Sequence, residues 1–396
     1  MRKLILALLL GVALASPAQA DPKFEAFIQT LWPRVQKAGF SRQLFDAAFK
    51  GITDPDPVVI KLAKNQPEFK STTSEYLDKA VTDIRIDTGK QMLGANADLL
   101  NAIQAKYGVN KNVLLGIWGV ESNFGKDMGS MSVMRSLATL IYTGNKKSYA
   151  EDQLIAAFTI LKRGIRSPDH FVGSWAGALG HTQFIPTTYL SAAADWTGDG
   201  KKDIWGSKED ALASTANYLK LSGWKGDRPW GWEVKLPDHF DRSLIGRGHW
   251  KPVSEWVKLG IQPMTGDKFS APGASAFVMI PQGMDGPVFL VTQNFLALLA
   301  YNYSHAYALA VAHLADRIGG GPKIQAAWPP QKTDLSFAER VELQNRLTRL
   351  GFDTSGADGR FGARTYEAVL GFQKKVGMDL DGFPTRKVLE RLRQGG

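Results

Sequence analysis

The sequence has 396 residues, carries 48 Lys and Arg against 38 Asp and Glu for a net charge of +10, and has no cysteine. We therefore expect neither disulfides nor lipid attachment through an N-terminal cysteine, and stability must come from a core large enough to form unaided. The positive charge favours anionic polymers as partners. Because no run of Lys and Arg is dense, a dedicated nucleic-acid surface is not expected.

Residues 1–20 have the pattern of an export signal. Arg2 and Lys3 form a positive start, residues 4–15 are apolar, and residues 18–20 end in a small-residue cleavage site. The apolar stretch is too short for a permanent membrane anchor, and no later segment is apolar for long enough. We expect the mature chain to begin near Asp21 and to be soluble in the periplasm, without a membrane anchor.

The long segment that follows reads mainly as helices. Apolar residues recur at helical spacing over 97–106 and 111–121, with a turn at 107–110 between them, and again over 208–221 and 292–317. Residues 232–236, 276–280 and 288–291 are instead rich in β-forming residues. The predicted fold class is mainly α (α+β), a helical domain with a small β insertion.

Glycine and proline cluster at the end of this segment, in Gly319-Gly320-Gly321-Pro322 and Trp328-Pro329-Pro330. Such a cluster ends a helix and continues poorly as any element, so residues 319–333 are predicted to be a linker between a domain at 21–318 and one at 334–396. In the second domain, three groups of apolar residues at helical spacing are separated by Gly-containing turns. A small three-helix module is expected there.

Residues 113–125 hold the most informative carboxylate. A nearly unbroken apolar helix ends at Glu121, and Ser122 and Asn123 follow at once. Desolvation would raise the pKa of such a glutamate and keep it protonated, as a general acid requires. A solvated glutamate at a helix end is the alternative. Asp127, Glu151 and Asp152 lie nearby in sequence, but their polar neighbours indicate solvated charges.

Residues 174–189 combine small residues with hydrogen-bonding and aromatic side chains. The small residues let the backbone approach a ligand closely, while Ser174, Thr182 and Gln183 offer hydrogen bonds and Phe184 and Tyr189 offer apolar faces. A tightly packed helix-to-loop junction is the alternative. His181 has no Ser or Asp pairing motif beside it, so it is interpreted as structural or solvated.

Together these two segments resemble the B-type lytic murein transglycosylases. The likeness rests on residues 119–122 and 177–186, and continues through 195–200, 216–218, 223–234 and 301–304, in the family's order. It implies a lysozyme-like helical fold and a single catalytic glutamate, Glu121. Enzymes of this family cleave the β-1,4 bond between N-acetylmuramic acid and N-acetylglucosamine in peptidoglycan without water, and they leave a 1,6-anhydromuramic end.

The resemblance also implies a set of glycan-binding residues. These are Ser174, Gln183, Tyr218, Tyr301, Asn302, Tyr307 and, on a thinner motif, Tyr76. Aromatic rings suit this role because they stack on the apolar faces of sugars while their polar edges form hydrogen bonds. Trp224 and Trp230 are further aromatic candidates, although several such rings are expected to belong to the core.

Residues 195–203 have the oxygen-ligand spacing of a calcium loop, with Asp195, Thr197 and Asp199 followed by the backbone carbonyl of Lys201. The twelfth position holds Gly206 where a bidentate glutamate is usual. Some family members close the loop with a later acid, for which Asp210 (or Glu209) is the candidate here. A structural Ca²⁺ is thus expected, although none is required for the chemistry. A loop held by Asx turns without metal is the alternative.

The C-terminal module is similar to a peptidoglycan-binding domain. The likeness spans residues 337–393 and includes 342–347, 350–352, 358–365 and 372–373. Its expected role is tethering, which raises the effective substrate concentration. The expected partners are peptidoglycan strands and at most other cell-wall enzymes, for a monomeric protein.

Two alternatives stand beside the transglycosylase. One is a hydrolytic lysozyme-like muramidase on the same fold, in which water attacks instead of the sugar hydroxyl. The other is a non-catalytic peptidoglycan-binding scaffold, in which Glu121 is dispensable.

Overall fold

A computed structural model describes residues 21–395 except 66–71, 145–146, 227, 267 and 330–333, and except the side chain of residue 65. The predicted export signal lies outside the described residues. The described chain is mainly helical, with a small β half-barrel insertion, which confirms the predicted fold class.

Fourteen of the described helices belong to residues 21–318, the large domain. They are α1 (Pro22–Lys37), α2 (Arg42–Phe49), α3 (Pro57–Asn65), α4 (Thr73–Ala80), α5 (Asp83–Ala95), α6 (Ala97–Tyr107), α7 (Lys111–Ser122), α8 (Val133–Tyr142), α9 (Lys147–Lys162), α10 (Pro186–Ala192), α11 (Lys208–Leu221), α12 (Val253–Lys258), α13 (Gln293–Tyr301) and α14 (His305–Ile318). Helices α6, α7 and α11 agree closely with their predicted spans.

The centre of the large domain is the packing of α7 against α14. Seven successive residues of α7, from Val113 to Gly119, are buried, because this helix is apolar on every side. At Gly116, a Cβ would lie 2.7 Å from the carbonyl oxygen of Val311. Glycine therefore allows the two helix backbones to approach closely.

The span 292–317, predicted to be helical, forms two helices and not one. The chain forms α13 and α14, which are bent by 114° relative to each other. Asn302 has extended dihedral angles, and the Ser304 side chain accepts a hydrogen bond from Tyr307 N to cap α14. The polar residues 302–304 thus end one helix and begin the next.

Two small sheets complete the large domain. Strands β1 (Met131–Ser132) and β2 (Val172–Gly173) pair with each other. The second sheet comprises β3 (Gly231–Lys235), β4 (Lys251–Pro252), β5 (Gln262–Pro263), β6 (Ser275–Met279) and β7 (Val288–Thr292). Its strand order is β4-β6-β7-β3-β5. The three β-rich runs of the sequence are its three long strands, and the two short strands were not predicted.

The C-terminal residues form helices α15 (Phe337–Arg349), α16 (Ala363–Val376) and α17 (Arg386–Arg393). Their apolar faces join one cluster with the second sheet, in which Ile280 lies near Gly382 and Gly283 lies near Phe383. Between the domains, residues 319–329 contain no helix or strand. Their chain is held by Glu233, which accepts hydrogen bonds from the backbone of Gln325 and Ala326.

Within the described ranges, no single helix has both the length and the apolar character needed to cross a membrane. Among the described helices, the bent pair α13 and α14 meets those two criteria jointly.

Candidate active site

Glu121 lies in the last turn of α7, where the chain changes direction sharply. After Ser122, which ends the helix, Asn123 and Phe124 have φ of 50° and 59°, and Gly125 has φ of 86°. Left-handed backbone at two residues that are not glycine is strained and persists only where the surroundings enforce it. The turn places Glu121 at the end of an apolar helix, with its side chain largely buried.

The carboxyl group of Glu121 contacts Tyr307 of α14. The Tyr307 hydroxyl donates a hydrogen bond of 2.5 Å to Glu121 Oε1. Desolvation raises the pKa of Glu121 from 4.5 to about 7, and the Tyr307 hydrogen bond opposes this rise. The protonated and ionised forms are therefore both accessible near neutral pH. Glu121 can therefore hold a proton near neutral pH, which a solvated glutamate does not.

Three of the predicted glycan-binding tyrosines form one aromatic cluster around this carboxyl group. The rings of Tyr301 and Tyr307 are stacked at 6.4 Å, and Tyr218 meets Tyr301 edge to face at 5.1 Å. Phe184 contacts both Tyr218 and Tyr301. Burial, followed by the charge of Glu121, raises the pKa of Tyr301 and Tyr307 well above 10, so both remain neutral donors.

The hydroxyl groups of this cluster are already committed to protein acceptors. Tyr301 donates to the Thr182 carbonyl at 2.7 Å and Tyr218 donates to the Ala300 carbonyl at 2.6 Å. Tyr218 and Tyr301, which are partly buried, therefore offer ring faces and edges to a ligand more readily than hydroxyl protons, whereas Tyr307 is only 2% exposed and has no ring face available for a sugar.

A second network fastens the end of α7 to the predicted loop at 174–189. Ser122 Oγ donates a hydrogen bond to the His181 carbonyl and accepts one from Gly125 N at 2.9 Å. Trp118 Nε1 donates to His181 Nδ1 at 3.2 Å. This contact requires Nδ1 to be unprotonated, and desolvation lowers the pKa of His181, which keeps the ring neutral. His181 is structural, as the sequence indicates.

Ser174 and Gln183 organise the same loop. Ser174 Oγ accepts hydrogen bonds from Ala176 N and Ala178 N, at 3.3 and 3.0 Å. The Gln183 amide nitrogen donates to the carbonyl groups of Met128 and Gly180, and its own φ is 52°. Gln183 thereby connects this loop to Met128, in the segment that follows Glu121.

The remaining predicted aromatic and polar residues divide between surface and core. Asn302 is exposed at the break between α13 and α14, and Tyr76 on α4 is partly buried near Tyr307. Trp224 and Trp230 are each only 6% exposed. These two tryptophans belong to the core and are not available for stacking on a sugar.

The carboxylates near Glu121 in sequence do not form a catalytic pair with it. Glu151 and Asp152 bind Arg34 at 2.6 and 3.2 Å. Asp127 is exposed. The exposure of Asp127 and Asp152 agrees with their interpretation as solvated charges, whereas Glu151 is partly buried in its ion pair with Arg34.

Three acids of the predicted metal loop converge. Oxygen atoms of Asp195, Asp199 and Asp210 all lie within 4.8 Å of one another. Asp210 is buried and accepts hydrogen bonds from the backbone nitrogens of Trp196, Thr197 and Asp203, so it also holds the loop together. This set of hard oxygen donors suits Ca²⁺, and Asp210 occupies the closing position that Gly206 leaves vacant.

Sequence reasoning missed the roles of Trp118, Ser122 and Phe184. The first two meet His181 only through the fold, and the third packs between two tyrosines from different helices. The dipeptide Glu121-Ser122 was the one available signal, since a small polar residue at the end of a helix can hydrogen-bond to a neighbouring loop, as Ser122 does to the His181 carbonyl.

The chain matches the model of the transglycosylase SLT domain over residues 23–316 and that of a putative peptidoglycan binding domain over residues 338–392. It is similar to SltB3 from Pseudomonas aeruginosa, solved in complex with NAG-anhNAM-pentapeptide, with 45% identity and a TM-score of 0.82. That alignment covers 95% of this chain and 100% of SltB3.

Two relatives from Escherichia coli are more distant. The membrane-bound lytic murein transglycosylase B of strain K12 is 28% identical over 313 residues, which are 75% of this chain and 83% of that protein. The lytic transglycosylase Slt35, solved in complex with calcium, is 27% identical, with a TM-score of 0.59 over 76% of this chain and 93% of Slt35.

Because the family model matches most of its length, the chain belongs to the transglycosylase SLT domain family. It is a lytic transglycosylase that acts on peptidoglycan, with a C-terminal peptidoglycan-binding domain. The scaffold alternative is thereby excluded.

Proposed function

We propose that Glu121 is the single general acid and base of this enzyme. The bond cleaved is the β-1,4 link between N-acetylmuramic acid and N-acetylglucosamine, and the product carries a 1,6-anhydromuramic end. The observation that carries this proposal is the buried contact between Glu121 and Tyr307, with a pKa of about 7 for the glutamate.

In the first step, protonated Glu121 gives its proton to the bridging oxygen as the bond from that oxygen to C1 of the muramic residue breaks. The developing oxocarbenium charge is stabilised by the N-acetyl group of the same sugar. An acid whose pKa lies near the working pH is well matched to this transfer. Two-carboxylate glycosidases need a second acid at a fixed separation, whereas an intramolecular nucleophile does not.

In the second step, the Glu121 carboxylate removes the proton from the muramic 6-hydroxyl while O6 bonds to C1. The ring closes, and Glu121 regains its proton. Tyr307 stabilises the carboxylate between the two steps, because a hydrogen bond to the charged form favours it.

The glycan strand is proposed to lie along Ser174, Gln183, Tyr218, Tyr301, Asn302 and Tyr76, with Tyr307 beneath the carboxyl group. Exposed Asn302 offers free polar atoms. Ser174 already accepts two backbone hydrogen bonds, which leaves its proton available for a sugar oxygen. The tyrosine rings supply stacking surface.

A structural Ca²⁺ is proposed at Asp195, Asp199 and Asp210, with Thr197 and the Lys201 carbonyl completing the oxygen donors. The ion would hold the loop and take no part in the proton transfers. The calcium complex of Slt35 is consistent with this assignment.

The expected location is the periplasm, where a signal over residues 1–20 would deliver a soluble, monomeric enzyme. The C-terminal domain would hold it on the polymer.

Mass spectrometry of muropeptides released from purified sacculi tests the reaction. 1,6-Anhydromuramic ends are expected. Reducing ends in their place would establish the hydrolytic alternative, in which water attacks C1.

A further inference from the structure

A cavity of about 520 Å³ lies between the end of α9, helix α10 and the acidic loop, residues 195–203. Four cationic side chains line it, and we call it the basic cavity. They are Arg163, Arg166, Lys201 and Lys202. None of these side chains takes part in the proposed chemistry at Glu121 or in the proposed glycan contacts.

Arg166 is held in place by two contacts. Its guanidinium carbon lies 4.4 Å from the centroid of the Trp205 ring, and its Nη2 lies 3.1 Å from Asp203 Oδ1. Among the described residues, Arg166 Nη1 has no hydrogen-bond partner. A guanidinium fixed in this way loses little further freedom when it binds, and its N–H groups suit an anion with several oxygen atoms.

The other three cations add charge that no direct contact compensates. Within the described ranges, Arg163, Lys201 and Lys202 have no ion-pair partner, and Asp203 already binds Arg166. A carboxylate carries one negative charge, whereas a phosphate monoester carries about 1.5 to 2 near pH 7 and has three acceptor oxygens. A phosphate group therefore matches this lining better than a carboxylate does.

Hydrogen bonds connect the wall of the basic cavity to the acids of the proposed calcium site. Three residues of the wall each donate a backbone hydrogen bond of 2.9 Å to one of these acids. The pairs are Gly200 with Asp195, Lys201 with Asp199, and Asp203 with Asp210.

This arrangement links the charge of the cavity to the metal. The three acids and Asp203 together balance the four cations of the cavity. A Ca²⁺ bound to the acids would add two positive charges close to the cavity, where salt screens little. An anion should therefore bind more tightly to the calcium-loaded protein.

We propose that the basic cavity binds a phosphate group, and that calcium at Asp195, Asp199 and Asp210 strengthens this binding. The cavity is a ligand site in addition to the glycan cleft, and the effect of calcium rests on the proposed metal site. The phosphate belongs either to a lipid headgroup or to a free phosphate monoester. The coupling is reciprocal, so the ligand should strengthen calcium binding by the same factor.

Titration calorimetry with glycerol 3-phosphate tests the cavity without any turnover. Wild type is compared with Arg163→Gln/Lys202→Gln, which removes two cations and leaves every acid of the loop in place. Loss of two exposed charge contacts should weaken binding about tenfold. The matched control, Arg349→Gln/Lys375→Gln, makes the same change in net charge at exposed residues of α15 and α16 and should bind as wild type does. Equal affinity in all three proteins would overturn the site, as would equal heat from uncharged glycerol.

The same titrations with calcium and with chelator measure the coupling. Calcium should raise the affinity of wild type for glycerol 3-phosphate about fivefold or more, and should have little effect in Asp199→Asn. An affinity that does not change when calcium loads the protein would overturn the coupling. Failure of the proposed metal site instead shows as no heat from calcium alone, while the cavity variant still weakens phosphate binding in chelator.

Co-sedimentation with vesicles of phosphatidylcholine and phosphatidic acid identifies the source of the phosphate. The cavity variant and the matched control have the same net charge, so general attraction to the vesicles is equal for both. Weaker sedimentation of the cavity variant would assign a lipid headgroup as the ligand. Equal sedimentation, with glycerol 3-phosphate binding still weakened in the cavity variant, would assign a free phosphate monoester.

Discussion

Tyr307 and Glu121 are 186 positions apart in sequence, yet the hydroxyl of one donates a 2.5 Å hydrogen bond to the carboxyl group of the other. The contact joins α7 to α14, the two helices at the centre of the large domain. It opposes the effect of burial on the pKa of Glu121 and leaves that pKa at about 7. The same packing that forms the core thus sets the proton affinity of the acid.

Replacing Glu121 by Gln tests its role as the proton donor. The amide keeps the shape and much of the hydrogen bonding but has no transferable proton, so activity should fall by roughly 10²–10⁴-fold. Release of soluble muropeptides from sacculi measures it, with binding of the variant to sacculi as the control for folding. A variant that clears sacculi at the wild-type rate would disprove the assignment.

Replacing Tyr307 by Phe should alter the pH dependence. The hydrogen bond from Tyr307 lowers the pKa of Glu121, so its removal should raise that pKa above about 7. The basic limb of the kcat/KM profile should therefore move to higher pH, and kcat should fall about tenfold as the carboxylate loses a hydrogen bond of about 1.5 kcal/mol. An unchanged profile would show that Tyr307 does not act on the acid.

The buried acid also predicts a stability difference. The folded-state pKa of Glu121, about 7, lies above its ordinary 4.5. Stability is therefore fully present below about pH 4.5 and is lost as pH rises through 7. Glu121→Gln should exceed wild type in free energy of unfolding by up to about 3 kcal/mol at pH 9, and match it at pH 4.

Denaturant titrations at both pH values measure this difference. The matched control is Glu255→Gln, which neutralises an exposed carboxylate on α12. A gain in stability that is the same at pH 4 and pH 9 would contradict the assigned pKa.

Calcium should stabilise the protein. At free calcium 100-fold above Kd, the gain is about 2.7 kcal/mol, visible as a rise in Tm of chelator-treated protein. Asp199→Asn, at an exposed member of the acid cluster, should abolish most of this rise while leaving the metal-free Tm nearly unchanged. No calorimetric heat and no shift in wild-type Tm would rule the site out.

His181 should act through the shape of the site. Its Nδ1 accepts from Trp118 Nε1, and an asparagine oxygen can take a similar position. His181→Ala leaves a buried donor unpaired and should cost about 1–3 kcal/mol of stability, with a lower kcat. His181→Asn should retain most of both. Thermal unfolding and turnover of the two variants measure this, and equal loss in both would refute the role of the hydrogen bond.

The periodicity of the sequence predicted the elements that local chemistry specifies. The bounds of α6, α7 and α11 and the three long strands follow from apolar spacing and β-forming residues. The break within 292–317 was missed because its flanking segments are both apolar at helical spacing, and only a short polar interruption separates them. The short strands β4 and β5 carry too few residues for any period to show.

The residues of the active site also divide into those that local sequence indicates and those that only tertiary contacts define. Glu121 was identifiable because an apolar run ends in a carboxylate, and the acidic loop because its oxygen donors alternate. The tyrosine cluster was named only through the family resemblance, and nothing local indicated that its hydroxyl groups are committed to Thr182, Ala300 and Glu121. The sequence did not indicate that Trp224 and Trp230 are buried, because burial depends on tertiary packing.

The sequence by itself determined the fold class and most of the helical segments, and it indicated Glu121 as the candidate acid. The tertiary structure decided the pKa of Glu121 and the contacts that hold its neighbours in place. The reason is physical: apolar periodicity acts between residues close in the chain. Desolvation, hydrogen bonding and charge instead depend on which distant residues the packed core brings within a few ångströms.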